Sequence, residues 1–275
     1  MKRRLGERKL GHSGTLDPLA RGVLIVATGR LTRLLRYCDG HDKSYQAIAR
    51  LGVVTTTGDV TGAVERTCDA SSISQEELDA VLDEFRGPIE QRPHRFSAIK
   101  VDGVRSYDRA RRGESFVNAA RPVRIDELSC ELQGDEYFSV ALRCSSGTYV
   151  RVLIEDIGER LGVGATMVEL VRVAAGPVAL DRCSSSAEIS IDEALGFEEI
   201  FPLFRRVTLS NAALTTAVLN GSSIATEGTI GAEGALVGVF REPTDLSESE
   251  WSRFLGMYST TREGLRPDVV ISRLG

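Results

Sequence analysis

The sequence predicts an α+β fold built on a mixed, largely antiparallel sheet flanked by helices, followed by a small β-rich module. Three observations carry this reading. Residues 43–53 alternate, with Tyr45, Ala47, Ala49 and Leu51 on one face, which is the period of a half-buried strand. Residues 123–132 and 137–144 read as the two arms of a hairpin that turns at Gly134-Asp135. Ser74 and Glu77 form a capping box ahead of a helical stripe of Leu78, Val81, Leu82 and Phe85, and Gly87-Pro88 ends it.

The remaining elements follow in chain order. Gly11-His12-Ser13-Gly14-Thr15-Leu16-Asp17-Pro18 is rich in Gly and Pro, so it predicts a tight loop presenting one imidazole and one carboxylate. The apolar run at 20–27 predicts a buried strand directly behind it. Residues 29–39 carry Leu31, Leu34 and Leu35 at helical spacing, and residues 55–62 form a polar, glycine-punctuated loop. A short strand at 96–101 and a short helix at 106–112 come next, with Arg105, Arg109 and Arg112 on one helical face and Tyr107 interleaved. After the hairpin, Ser145-Ser146-Gly147-Thr148 is expected to cap a helix with a stripe of Val152, Ile154 and Ile157, which places Arg151 in its first turn. A strand at 166–174, a Ser-rich stretch at 183–186 and a helix at 191–195 lead to a boundary near Arg205. Residues 1–205 are thus expected to form one domain, and residues 206–275, with a helix at 212–219 and several short strands, a second and smaller one.

Composition narrows the function. With 275 residues, 42% hydrophobic and 27% charged, the chain has the make-up of a water-exposed globular protein, and no apolar run approaches the roughly 20 residues of a membrane span. The N-terminal Met1-Lys2-Arg3-Arg4-Leu5-Gly6-Glu7-Arg8 has no apolar stretch behind its charges, so it does not read as a signal peptide, and a cytoplasmic location is expected. The 5 cysteines are scattered and the 3 histidines isolated, which argues against a disulfide framework and a metal site, so no cofactor is expected. The net charge of −5 hides a strong segregation: nine basic residues between Arg92 and Arg124 face only Asp102, Asp108 and Glu114, a local charge of +6. That is the footprint of a phosphate-binding surface.

Taken in order, these segments resemble the tRNA pseudouridine synthases of the TruB type, which isomerise uridine 55 in the T arm of tRNA. The resemblance runs from about Leu10 to Gly176. The octapeptide at 11–18 is similar to the family's catalytic loop, with Asp17 at the position of its essential aspartate. Lys43-Ser44-Tyr45 resembles the strand bearing the active-site tyrosine. Thr55, Thr57, Asp59 and Gly62 repeat a Thr-x-Thr-x-Asp-x-x-Gly loop. Phe96-Ser97-Ala98-Ile99-Lys100, Tyr107 and Ala110-Arg111 resemble an RNA-gripping thumb insertion, here about 92–121. Gly147-Thr148-Tyr149-Val150-Arg151 resembles the motif whose arginine faces the aspartate, and residues 206–275 resemble a reduced PUA-like domain. That module carries six arginines against eight carboxylates, so its role in RNA binding is open. The family's additional N-terminal strand and helix, bearing Lys-Pro-x-Gly-x-Thr-Ser, has no counterpart here. Residues 2–9 are similar to the end of that helix, which leaves a late start and a truncation as alternatives.

The resemblance implies an isomerase of uridine in RNA, without cofactor or metal, acting as a monomer on the tRNA T-arm stem-loop. Asp17 is the expected nucleophile, attacking sugar or base or helping to form a glycal-like intermediate. Arg151 is expected to orient it, and Tyr45 to stack on the uracil and take the C5 proton. His12, Arg33, Asp59, Lys100, Arg105, Tyr107, Arg109, Arg111, Arg112, Tyr149 and Leu170 are the expected RNA-binding set. Within it, His12 fills the space of the flipped base and Leu170 forms an apolar pocket wall. A non-catalytic RNA-binding or RNA-folding protein is the alternative. A glycoside hydrolase is disfavoured because no second carboxylate accompanies Asp17 in its loop.

Overall fold

The computed structural model describes residues 1–95, 100–101, 104–114, 116–225, 231–245 and 247–271, with backbone only at 100, 101, 105, 110 and 111. The chain falls into two compact units: Leu16–Val23 with Gly40–Ala175, and Met1–Thr15 with Leu24–Asp39 and Gly176–Gly275. The boundary expected at 205 thus lies inside the second of these, where Arg205–Leu209 begins a strand.

In the first unit, antiparallel strands run in the order Ala165–Ala175, Lys43–Leu51, Tyr137–Cys144, Arg121–Gln133 and Gly87–Gln91. The two-residue strand Arg21–Gly22 joins the edge of Ala165–Ala175 in parallel. This is the mixed, largely antiparallel sheet that the periodicity predicts. Tyr45, Ala47, Ala49 and Leu51 are all buried, and on the neighbouring strand so are Phe138, Val140, Leu142 and Cys144. Helices Gln75–Leu82 and Val150–Arg160 cover this face with Leu78, Leu82, Leu153, Ile154 and Ile157. The Ser74 capping box is present: Glu77 N donates to the Ser74 hydroxyl at 3.2 Å and Ser74 N donates to the Glu77 carboxylate at 2.8 Å. Gly158 sets how closely the second helix approaches the sheet, because a Cβ there would lie 2.1 Å from Ala165 N.

Several local expectations are corrected. Gly11-His12-Ser13 is not loop but part of a strand, Leu10–Ser13, paired antiparallel with Ile25–Thr28. The apolar run at 20–27 is not one strand. It divides into Arg21–Gly22 and Ile25–Thr28, which belong to different compact units. Gly22 makes the division possible: its φ is 109°, and a Cβ would lie 2.2 Å from the Arg172 carbonyl oxygen, so only glycine fits this turn in direction. Residues 29–39 form a 3-10 helix, Gly29–Tyr37, instead of an α-helix. Tyr149 occupies the N-cap of Val150–Arg160 without a side-chain cap, and the Thr148 hydroxyl instead donates back to the Ser145 carbonyl at 2.9 Å. The helix expected at 191–195 is a turn in which Asp192 N bonds the Ser190 hydroxyl, a local bond that competes with helix. The helix forms instead at Phe197–Ile200, where Gly196 N donates to the Glu199 carboxylate.

In the second unit, Arg205–Leu209, Leu236–Arg241, Phe254–Thr261, Gly264–Val270 and Ile224–Ala225 form a five-stranded sheet whose first pair is parallel. The helix Ala212–Leu219 is capped by the Asn211 side chain, which accepts from Ala213 N. Among the described residues no helix is long and apolar enough to cross a membrane.

Replacing Gly158 by Ala forces the Val150–Arg160 helix off the Ala165–Ala175 strand. We expect Gly158→Ala to lower stability by about 1–3 kcal/mol in urea unfolding. An unchanged midpoint would show that the helix accommodates the methyl group.

Candidate active site

The site is built around a guanidinium. Arg151 lies in the first turn of its helix, where the positive end of the helix dipole disfavours a cation, and it is only 5% exposed. Such a burial requires anions. Arg151 Nη1 donates to the Asp59 carboxylate at 3.0 Å and to the Thr57 carbonyl at 2.8 Å, while Nη2 donates to Asp17 at 3.1 Å. Three stretches far apart in sequence thus meet at one side chain.

The two carboxylates differ. Asp59 also accepts from the Thr57 hydroxyl at 2.9 Å, from Thr61 N at 3.0 Å and from the Thr61 hydroxyl. Burial raises its pKa, but those bonds together with Arg151 outweigh burial and hold it below the ordinary value. Its Oδ1 accepts three hydrogen bonds and its Oδ2 the one from Arg151, and the residue is only 5% exposed. The Asp17 side chain is 33% exposed and its hydrogen bond is the one from Arg151. One carboxylate is locked and the other is presented.

Tyr45 lies inside the sheet, directly across from Arg172 on the neighbouring strand. Burial raises the Tyr45 pKa, against the lowering effect of a hydrogen bond from Arg172, and the Asp17 charge adds to the rise. The phenol is therefore neutral near pH 7. Arg172, 1% exposed, also donates through Nε to the Val23 carbonyl at 2.6 Å. It secures the return from the Asp17 loop to the sheet, a role that an arginine in an alternating strand did not signal.

Gln91, 1% exposed, holds Tyr149 from both sides: Tyr149 N donates to its amide oxygen at 2.9 Å and its amide nitrogen donates to the Tyr149 carbonyl at 3.3 Å. His94 feels Arg151 and Asp59; burial, then Arg151 and Arg95, push its pKa down to about 4. Glu155, one helical turn after Arg151, lies against Gly58, where a Cβ would lie 2.5 Å from the Glu155 carboxyl carbon. Burial pushes the Glu155 pKa up to about 7, with Arg151 opposing and Asp156, Asp59 and Glu159 adding. Sequence reasoning missed Gln91, His94, Glu155 and Arg172, because each acts through a long-range contact that no local motif marks.

Leu170 is buried in the core beneath the sheet, opposite Ala47. Tyr107 is half-buried on the short helix Ser106–Arg111. Arg109 donates to Glu114 at 2.8 Å and lies 4.4 Å over the Phe116 ring, and Arg112 donates to the same carboxylate at 2.9 Å. The side chains of Lys100, Arg105 and Arg111 lie outside the described residues, as does 96–99 of the thumb segment. His12, exposed on its strand opposite Val26, and Arg33 belong to the other compact unit.

Residues 2–150 match the TruB family pseudouridylate synthase N-terminal domain, and residues 151–195 match the tRNA pseudouridylate synthase B C-terminal domain. The chain belongs to the TruB family of pseudouridylate synthases. It is 38% identical over 254 residues to the tRNA pseudouridine synthase B of Mycobacterium tuberculosis strain H37Rv, covering 88% of this chain and 85% of that one. It is 41% identical over 196 residues to the protein of the same name from Paenarthrobacter aurescens, covering 69% and 63%. Among solved structures it resembles a chain of a Cbf5-Nop10-Gar1 complex, with TM-score 0.64, 23% identity and coverage of 98% and 77%. It also resembles a chain of an H/ACA RNP bound to a substrate RNA containing 2'-deoxyuridine, with TM-score 0.63, 21% identity and coverage of 98% and 78%. These structures show that the α+β pseudouridine synthase fold is shared.

Removing Asp59 takes the buried partner from Arg151 Nη1 and leaves the part-exposed Asp17 as the carboxylate of the pair, so Asp59→Ala is expected to cost about 3–5 kcal/mol in chemical denaturation. A loss below ~1 kcal/mol would mean that water replaces the carboxylate. Glu155 adds a pH dependence. Its folded pKa of about 7 lies above its unfolded value of 4.5, so the folded state holds the extra proton between those two values. The stability this contributes is full below pH 4.5 and is lost as pH rises through 7. Glu155→Gln is expected to flatten the stability profile across that window, and an unaltered slope would place the titration elsewhere, for instance at Asp156, whose pKa burial also raises.

Proposed function

We propose that this chain isomerises uridine to pseudouridine in tRNA, at uridine 55 of the T arm, with Asp17 as the reactive group. The observation that carries the proposal is the Arg151 guanidinium held between a buried carboxylate, Asp59, and a part-exposed one, Asp17. Family membership supplies the class of reaction. The names of the relatives supply the tRNA substrate.

The chemistry breaks the C1'–N1 glycosidic bond, turns the uracil and forms a C1'–C5 bond, with the C5 proton lost and N1 protonated. Atoms and electrons balance within the nucleoside, so no external oxidant or energy source enters. Asp17 carries the negative charge needed either to form a covalent adduct or to take a sugar proton on the way to a glycal. Arg151 orients that carboxylate, and it is itself fixed by Asp59 and the Thr57 carbonyl. Tyr45, neutral and buried at the sheet, supports stacking on the base better than removal of the C5 proton, because a neutral phenol is a weak base.

Extruding the uridine costs a few kcal/mol of stacking. The basic segment between Arg92 and Arg124 offers phosphate contacts that offset this, through Lys100, Arg105, Arg109, Arg111 and Arg112, and Tyr107 and Tyr149 join the proposed RNA-binding set. His12 and Arg33 complete the proposed RNA contacts, and Leu170, buried in the core, is the proposed apolar wall of the uracil pocket.

An unmodified T-arm stem-loop carrying tritium at uracil C5 tests the reading. The purified chain is expected to release tritium, and Asp17→Asn to lose release by about a thousandfold or more while still binding the RNA. Binding without release by the unaltered chain would instead identify a non-catalytic RNA-binding protein.

A further inference from the structure

The Gly29–Tyr37 helix has 3-10 geometry over 9 residues, long for this conformation, which rarely exceeds 3–4 residues. With three residues per turn, side chains three apart stack in straight columns separated by about 6 Å along the axis. Each column has a distinct environment. Leu31, Leu34 and Tyr37 enter the aromatic core of their unit with Phe197 and Phe201. Thr32 and Leu35 close on the Leu10–Ser13 strand, where a Cβ at Gly11 would lie 3.3 Å and 2.8 Å from them. The third column is Arg30, Arg33 and Arg36, all exposed.

This column is held in place by the same unit. Arg33 Nη1 donates to the Val270 carbonyl at 2.5 Å, leaving other donors of its fork to face outward. Arg36 lies 5.6 Å from the centre of the Tyr37 ring, whose hydroxyl donates to Asp268. In an α-helix the three arginines would fan through about 120°, since each third residue falls short of a full turn by about 60°. The two N-terminal stretches of this unit, Met1–Thr15 and Leu24–Asp39, carry eight lysines and arginines against Glu7 and Asp39 alone.

The geometry points to Arg30 and Arg36 as extending the RNA contact proposed for Arg33 into a column that tracks successive phosphates along a single strand of the tRNA substrate. A straight row of cations at a nearly constant step is matched by a polyanion with a regular repeat, and guanidinium forks suit phosphate oxygens. The inference rests on the tRNA reading above, and it assigns to this surface the part of tRNA affinity that the thumb segment does not supply.

The test uses the whole chain and an unmodified tRNA transcript. Dissociation constants are measured by filter binding at several salt concentrations for the unaltered chain, Arg30→Gln/Arg36→Gln and Arg30→Lys/Arg36→Lys. Each phosphate contact contributes about 0.7–0.9 to the slope of log affinity against log salt. The Gln pair is expected to bind roughly tenfold more weakly and to lose about 1.4–1.8 of that slope, with tritium release at saturating tRNA unchanged. The Lys pair is expected to keep the slope. Equal affinity and slope in all three proteins would overturn the inference, as would a loss that the Lys pair does not restore. The activity reading is judged separately: an unaltered chain that binds tRNA with the expected slopes but releases no tritium sinks that reading and leaves the column intact. A chain that binds no tRNA removes both.

Discussion

A single buried cation constrains the architecture of the catalytic unit. Arg151 stands at the start of a helix, where four backbone N–H groups already point outward and the dipole repels positive charge. Its burial is tolerable only because the Thr57–Asp59 loop and the Asp17 loop both turn acceptors toward it. Fixing that one side chain therefore fixes the relative position of a helix, a loop after the Val53–Thr55 strand, and a segment more than a hundred residues earlier. The surrounding sheet can be read as the frame that makes this meeting reproducible.

The frame shows its priorities in close contacts. Gly158 brings the helix onto the Ala165–Ala175 strand, Gly58 leaves room for Glu155 behind the Asp59 loop, and Gly22 lets the chain pass over the Arg172 backbone. Gln91 clamps the peptide at Tyr149, two residues ahead of Arg151, so the helix start is held by a side chain from the far edge strand instead of by its own cap. Each contact removes freedom from Arg151 or from the loops that touch it. A reactive carboxylate gains from this because its partner cannot drift with it.

Much of this was legible in the sequence where the signal was local or repeated. The alternation through Tyr45, the Ser74–Glu77 box and the hairpin at Gly134 all correspond to observed elements, because periodicity and capping report directly on burial. Asp17, Asp59 and Arg151 stood out through motifs whose spacing is distinctive. What failed was of another kind. The run at 20–27 reads as one strand because its residues are uniformly apolar, and nothing local says that Gly22 turns the chain between two units. Leu31 and Leu34 fit both a 3.6 and a 3.0 period and Leu35 only the first, and in the 3-10 helix Tyr37 takes its place beside Leu31 and Leu34 in the aromatic core. Gln91, His94 and Arg172 matter through tertiary contacts, which composition does not encode.

The charge balance of the site explains why one of two similar carboxylates is the reagent in the proposed reaction. His94 is neutral, its pKa driven to about 4, and Tyr45 is neutral, so the ion-paired triad is one cation, Arg151, and two carboxylates, with Glu155, its pKa about 7, partly ionised one helical turn away. Within the triad one negative charge is left over. It does not reside usefully on Asp59, whose oxygens accept from Thr57, from Thr61 twice and from Arg151. Three of these bonds fall on Oδ1 and one on Oδ2, and Asp59 is only 5% exposed, so burial as much as hydrogen bonding keeps it from reacting. Asp17 accepts from Arg151 and keeps a third of its side chain exposed, so its remaining lone pairs face outward. Without Asp59, Arg151 would be drawn wholly to Asp17 and would neutralise it. With Asp59 in place, the guanidinium is shared, and Asp17 is oriented without being quenched.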